Sequence, residues 1–323
     1  MILGFGPTPA SAPAPDAPGA GVPAAVGTHE EWRTIVARAE VNGTSLEYVE
    51  NGEGQPLVFV HGSASDIRTW HNQEKEFGNH FRVITYSRRY HWPNEPIGEG
   101  ADYSMLEHVW DLGAFLRALG AAPVHLVGHS YGAFVCLLLA VQEPGLIRTL
   151  VLAEPPAVTL FVSYPPRPPE ILRLMISRPR TAAAIVKFGA RGIQPTTAAL
   201  RRGDTEGAIQ IFGRTVLGSQ AYRSLSESRR EQVRANFLAA EFLGSGYPPL
   251  EASDVQQVRC PTLLLYAQRS PRLFHRLIDR LQELLPNAKR VEVRDASHIM
   301  HEDNPSEYNA AVLSHLQKHS KTS

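Results

Sequence analysis

The sequence predicts an α/β fold built on a mostly parallel, doubly wound sheet. Three observations carry that prediction. Short, almost continuous apolar runs recur along the chain, the pattern of strands buried on both faces. Helical stretches alternate with them, as in successive βα units. Residues 155–250 then interrupt the alternation with a block that has no convincing strand, read as a helical insertion.

The elements follow in order. The first 26 residues hold six prolines (Pro7, Pro9, Pro13, Pro15, Pro18, Pro23), many alanines and one charged side chain, Asp16. Such a composition buries little, so residues 1–28 are expected to form a disordered Ala/Pro-rich tail. The tail lacks the basic start and long apolar stretch of a signal peptide, so a cytoplasmic location is expected, a trimmed secretory remnant being the other reading. Strands are expected over 34–41 and 45–50, joined at Asn42-Gly43, a hairpin signal. Further strands are expected over 57–60, 83–86, 124–127, 149–152, 262–266 and 290–293. Helices are expected over 67–77, 105–119, 131–142, 273–285 and 306–318, the last opened by Asn304 as cap and Pro305 in the first turn. The expected core is 29–154 with 251–323, and the helical cap is 155–250.

Composition narrows the function. The 32 Lys and Arg balance the 32 Asp and Glu, so no whole-chain basic field exists to attract nucleic acid or an anionic membrane, and neither is expected as a partner. No apolar run is long enough to span a bilayer. Cys136 and Cys260 are too few for a disulfide framework or a cysteine-rich zinc site. The sequence holds no readable signal of oligomeric state.

The chemistry is concentrated in four loops. Gly128-His129-Ser130-Tyr131-Gly132 lies between an expected strand and an expected helix. This G-x-S-x-G pattern is the turn that exposes a nucleophilic serine above a sheet edge, and its small flanking residues allow the strained backbone. Serine needs a base, and His298 in Asp295-Ala296-Ser297-His298 follows the last expected strand; His301 is its rival. A carboxylate should orient that base. The loop after 262–266 reads Ala267-Gln268-Arg269-Ser270-Pro271 and offers none, whereas Glu154 ends the strand before the insertion. Glu154 is therefore favoured, with Asp295 and Asp303 as alternatives. Backbone N–H groups of Ser63, in His61-Gly62-Ser63-Ala64, and of Tyr131 are the expected oxyanion donors. The Ser63 hydroxyl is a further candidate donor, and His61 a loop-packing residue or part of the substrate wall. Trp70, Arg88, His91, Trp92 and Phe161 are weaker substrate-wall candidates, with loop packing as the other reading of each.

Together, residues 58–63, 128–132 and 295–298 make the chain resemble the α/β-hydrolase superfamily over about residues 32–319. The resemblance implies an eight-stranded core with a helical cap after the sixth strand. It points to the cap-bearing group of small esterases, perhydrolase-like enzymes and C–C bond hydrolases, in which some members place the acid where Glu154 stands. Ser130 in place of aspartate argues against the dehalogenase and epoxide-hydrolase branches. Ser87 departs from the Asp-Arg-x-Gly-like turn of many relatives.

The expected function is a serine hydrolase that cleaves a small or medium carboxylic ester through an acyl-enzyme, with no metal or organic cofactor required. The alternatives are a C–C bond hydrolase or cofactor-free lyase or cyclase, or a ligand-binding or sensing protein that keeps the fold. The partner is a small molecule. Residues 155–250 carry thirteen Lys and Arg against six Asp and Glu, a formal +7 that leaves −7 on the remainder. This unevenness suits an anionic substrate on one reading, and solvated helix faces or pairing with the core on the other.

Overall fold

The computed structural model describes residues 36–320, so the expected tail lies outside the described residues. Ala37–Val41 (β1) and Thr44–Asn51 (β2) form an antiparallel hairpin, with Val41 opposite Thr44 across Asn42-Gly43. Both turn residues have positive φ, 44° and 73°, which explains why asparagine and glycine stand there. Six more strands follow: Pro56–Val60 (β3), Arg82–Tyr86 (β4), Val124–His129 (β5), Ile147–Ala153 (β6), Thr262–Ala267 (β7) and Ala288–Val293 (β8). They assemble as one eight-stranded sheet in the order β1-β2-β4-β3-β5-β6-β7-β8. Every pairing from β4 to β8 is parallel.

The apolar runs are continuous because consecutive residues serve opposite faces. Val58 and Val60 join the core on one side, while Leu57 and Phe59 join the core on the other. Leu150 and Leu152 divide from Val151 and Ala153 in the same way. His71–Phe77 (α1) and the final helix pack on one face, and Met105–Ala118 (α2) and Tyr131–Gln142 (α3) on the other. The helix expected over 67–77 is divided. Ile67–Trp70 form a 3₁₀ turn capped by the Asp66 side chain on the Arg68 N–H, and Trp70 at ψ 5° closes that turn before α1 begins.

Between β6 and β7 the described chain has no strand. It runs through Pro168–Ser177 (α4), Pro179–Phe188 (α5), Gln194–Arg201 (α6), Thr205–Leu217 (α7), Ser219–Arg223 (α8), Glu227–Asn236 (α9), Ala239–Leu243 (α10) and Ala252–Val255 (α11). This helical block packs on loops at the carboxyl ends of the strands: Ile209 and Phe237 cluster with Ala64, and Leu217 and Tyr222 with Ile299. Arg272–Leu284 (α12), Met300–Asp303 (α13) and Pro305–Ser320 (α14) complete the chain. Asn304 Oδ1 accepts from the Glu307 N–H at 3.2 Å, the expected cap.

Candidate active site

Parallel registry brings three loops to one edge. His129 pairs with Ala153 and Ala153 with Leu265, so the residues after β5, β6 and β7 emerge side by side. Ser130 turns between β5 and α3 at φ 51°, ψ −120°, and its N–H is held by the Ala153 carbonyl at 2.8 Å. This region disfavours L residues, and the turn tolerates it because its neighbours leave room. A Cβ on Gly132 would lie 2.4 Å from the Val60 and His61 carbonyl oxygens, so only glycine fits against that loop.

Glu154 follows β6, also at positive φ, 49°, and is wholly buried. Its carboxylate is met by donors on both oxygens. Oε1 accepts from the Ala267 N–H at 2.8 Å, and Oε2 accepts from Ser270 Oγ at 2.7 Å and from His298 Nδ1 at 2.5 Å. With Nδ1 donating to a carboxylate, the neutral ring presents Nε2 as an acceptor. That nitrogen lies 2.8 Å from Ser130 Oγ. Serine, histidine and glutamate thus form one continuous hydrogen-bonded line.

The His298 ring and its loop are held by further neighbours. Phe274 of α12 stacks on the His298 ring, with centroids 4.2 Å apart and planes 21° apart. His129 lies 2.8 Å from the His298 carbonyl through Nε2. A carbonyl only accepts, so Nε2 of His129 carries the proton; burial holds this ring well below its usual 6.5, in the neutral form. Asp303 takes the Ser297 N–H at 2.6 Å and Asp295 is exposed, so neither alternative acid hydrogen-bonds the His298 ring. His301, the rival candidate, lies in a tilted ring contact 4.6 Å from Trp70 and bonds Thr69 Oγ1 at 3.1 Å.

The loop after β3 faces Ser130. A Cβ on Gly62 would lie 3.0 Å from Ser130 Cβ. The Gly62 carbonyl is held from behind by Arg88 Nη2 at 3.1 Å and His61 Nδ1 at 2.9 Å. The Arg88 N–H donates to His61 Nε2 at 2.9 Å, which leaves the proton on Nδ1; burial and the Arg88 charge keep this ring neutral. Tyr131 opens α3, so its N–H has no acceptor within the helix. The Ser63 hydroxyl turns away, donating to Glu241 of α10. Glu241 also accepts from the Tyr103 hydroxyl at 3.3 Å and lies 4.0 Å from Arg88. Burial raises its pKa, with the Arg88 charge opposing.

A cavity opens from Ser63, Ser130 and His298 into the helical block. Its walls are mainly apolar, from Ile209, Phe212, Val216, Leu217, Val233 and Phe237. Among the described residues Arg229 is the one Lys or Arg that lines it. The six residues expected at the substrate do not line it. Trp70 packs 5.0 Å from Phe59, and His91 bonds the Ser65 carbonyl at 2.8 Å. Arg88 and His61 sit behind the loop, Trp92 lies under Arg68 at 4.0 Å, and Phe161 packs on the cluster around Leu174 and Phe274. His61, Trp70, Arg88 and His91 are buried in packing after β3 and β4, Trp92 stays 44% exposed, and the cavity walls come from other residues of the insertion.

Residues 55–305 match the family model described as the alpha/beta hydrolase fold. The chain belongs to the α/β-hydrolase family. The chain is 30% identical over 110 residues to (E)-2-((N-methylformamido)methylene)succinate hydrolase of Acinetobacter baylyi, a match covering 34% of this chain and 41% of that protein. It is 27% identical to Epoxide hydrolase 3 of Mus musculus over 41% of this chain and 36% of that protein. The matched stretch therefore spans about two fifths of these two relatives or less. A longer match, 26% identical over 83% of this chain and 90% of the relative, is to the putative carbamate hydrolase RutD of Pantoea ananatis. Among solved structures, a thermophilic esterase from Thermogutta terrifontis aligns with TM-score 0.69 at 19% identity, covering 88% of this chain and 100% of that one. The carboxylesterase CesB of Bacillus subtilis aligns with TM-score 0.65 at 16% identity, covering 87% and 90%. At those identities the likeness establishes the fold. Among the described residues no helix is long and apolar enough to cross a membrane.

Proposed function

We infer that the chain is a serine hydrolase that cleaves a small or medium carboxylic ester through an acyl-enzyme. The observation that carries this reading is the line from Ser130 Oγ to His298 Nε2 at 2.8 Å and from His298 Nδ1 to Glu154 at 2.5 Å. Ser130 Oγ attacks the ester carbonyl as His298 Nε2 takes its proton. Glu154 holds the ring in the competent tautomer and stabilises its charged form. The N–H groups of Ser63 and Tyr131 receive the oxyanion, helped by the positive end of α3. His298 then returns the proton to the leaving alkoxide, and the alcohol departs. Water enters, gives a proton to His298, and releases the acid by the reverse path.

The apolar walls suit a hydrocarbon or aromatic acyl group, and Arg229 supplies one polar anchor among them. Its Nε is held by both Glu302 oxygens at 3.1 Å and its Nη1 by the Ala64 carbonyl at 3.2 Å, which leaves Nη2 for a ligand acceptor. We therefore narrow the anionic-substrate reading to one residue: the +7 of residues 155–250 is otherwise spent at exposed helix faces and on pairing with the rest of the chain, as in Arg178–Glu283. The test is a panel of aryl esters, with and without a terminal carboxylate, assayed beside a vinylogous diketone. Ester turnover that disappears in Ser130→Ala supports the reading. Turnover of the diketone alone would transfer the site to C–C hydrolysis.

A further inference from the structure

We propose that α4 and α5 form a docking face for an anionic lipid surface. Leu172, Met175 and Ile176 of α4 are 61%, 56% and 80% exposed. Their spacing, i, i+3 and i+4, places them on one stripe of the helix. Leu174 is buried and Ile171 packs on the core cluster of α12, so α4 is apolar on its outer as well as its inner side. Val186 of α5, 47% exposed, continues the apolar surface, while Ala182 and Ile185 take the inward side. A helix that already buries one apolar face and leaves a second in water has an unmatched surface of the kind found at interaction sites.

The charge beside it indicates what covers it. Residues 165–193 hold six Lys and Arg and one acid, Glu170. Glu170 is already engaged, accepting from the Ser163 N–H and hydroxyl and from the Arg167 N–H. Arg178 pairs with Glu283. Arg173, Arg180, Lys187 and Arg191 are exposed, and no ion pair reaches them among the described residues. By helical spacing Arg173 borders the Ile176 side of the α4 stripe, and Arg180 and Lys187 border Val186 on α5. An apolar stripe edged by cations is the surface that lies in a lipid interface, with the side chains among acyl chains and the cations at anionic head groups.

Other occupants fit less well. A second copy docked about a two-fold axis would set these cations against themselves. Residues 1–28 of the same chain carry a single acid, Asp16, too little to balance them. The neutral balance of the whole chain masks this local excess, which acts within a Debye length of the bilayer. The proposal goes beyond the esterase reading and stands without it, since partition onto vesicles requires no turnover.

The full-length protein is to be floated with vesicles of phosphatidylcholine, and with vesicles of phosphatidylcholine containing phosphatidylglycerol. Binding to the anionic vesicles about tenfold or more above the neutral ones, weakened by salt, is expected. Leu172→Glu with Ile176→Glu, and separately Arg173→Glu with Lys187→Glu, should each lose that binding while turnover of a water-soluble ester is retained. Met175→Trp supplies a readout that does not depend on loss: the emission it adds to that of the native protein should shift to the blue with anionic vesicles. Absence of anionic-vesicle binding, equal binding to both vesicles, or an added emission that stays unchanged when the Met175→Trp protein is vesicle-bound overturns the proposal. So does a dimer in solution that Leu172→Glu dissociates, which would assign the face to a second copy.

Discussion

Arg88 donates from Nη2 to the carbonyl oxygen of Gly62 at 3.1 Å, and that carbonyl shares its peptide unit with the N–H of Ser63. A trans peptide sets its C=O and N–H on opposite edges of one plane. Holding the oxygen from the core side therefore turns the Ser63 N–H toward the cavity, and a cation on the carbonyl strengthens the opposite N–H as a donor. Arg88 acts as a positioning residue in this account. Arg88→Met should lower kcat by about tenfold to a hundredfold with KM little changed, because an oxyanion contact acts in the transition state. Stability should fall by about 3 kcal/mol, since Glu241 loses its buried counter-charge. A rise in KM with kcat intact would instead place Arg88 at the substrate.

Ser270 and Glu154 separate orientation from nucleophilicity. Ser270→Ala removes one donor from the Glu154 carboxylate and leaves Ala267 and His298 bonded to it. We expect kcat to drop by about tenfold, and by about a thousandfold or more in Glu154→Gln. Steady-state kinetics on one neutral ester check both. Equal turnover in Glu154→Gln and the native enzyme would remove Glu154 from the mechanism.

Arg229 gives a prediction about specificity. Arg229→Gln should reduce kcat/KM by about tenfold or more for an aryl ester ending in a carboxylate, and by less than about threefold for its neutral counterpart. The same discrimination should weaken as salt is added to the native enzyme. Parallel losses on both esters would mean that the Arg229–Glu302 pair only fastens α9 to α13.

Stability should decline on acidification from neutral pH. His61, His91, His108 and His129 are buried, and burial is the first cause that holds each well below 6.5, with neighbouring charges adding to it. Below pH 6.5 the unfolded chain takes up protons that the folded chain refuses, so unfolding is favoured as pH falls. Each such histidine contributes a slope of about 1.4 kcal/mol per pH unit until its folded form titrates. Thermal melts at about pH 7.5 and about pH 5.5, either side of the ordinary histidine range, on the native protein and on one with His108→Phe, measure this. The variant should lose part of the slope; an identical slope would show that His108 is charged in the fold.

Much of this architecture is legible because it is local. Alternate strand residues feed two cores, so continuous apolar runs announce a sheet covered on both faces. Ser130 is visible for a related reason, since its turn needs Gly128 and Gly132 close in sequence. Glu154 and His298 can be found from strand ends, though 144 residues apart. The rest depends on contacts that no short window contains. Ser270 is visible only through the absence of an acid after β7, yet its hydroxyl reaches Glu154. Phe274, Glu241 and Arg229 sit on helices whose docking fixes what they face. Of the wall residues expected near β3 and β4, His61, Trp70, Arg88 and His91 instead pack inward and Trp92 stays exposed, because a sequence reports an aromatic near a loop without reporting which way it turns.

The central claim is that Ser130 is the nucleophile. Incubation of the native protein with a fluorophosphonate, followed by peptide mass spectrometry, tests it most directly. The account predicts one covalent adduct on Ser130, formed in step with loss of ester turnover, and absent from Ser130→Ala, whose turnover falls by about four to six orders of magnitude. Full turnover in Ser130→Ala, or an adduct on another residue that tracks the loss of activity, would contradict it.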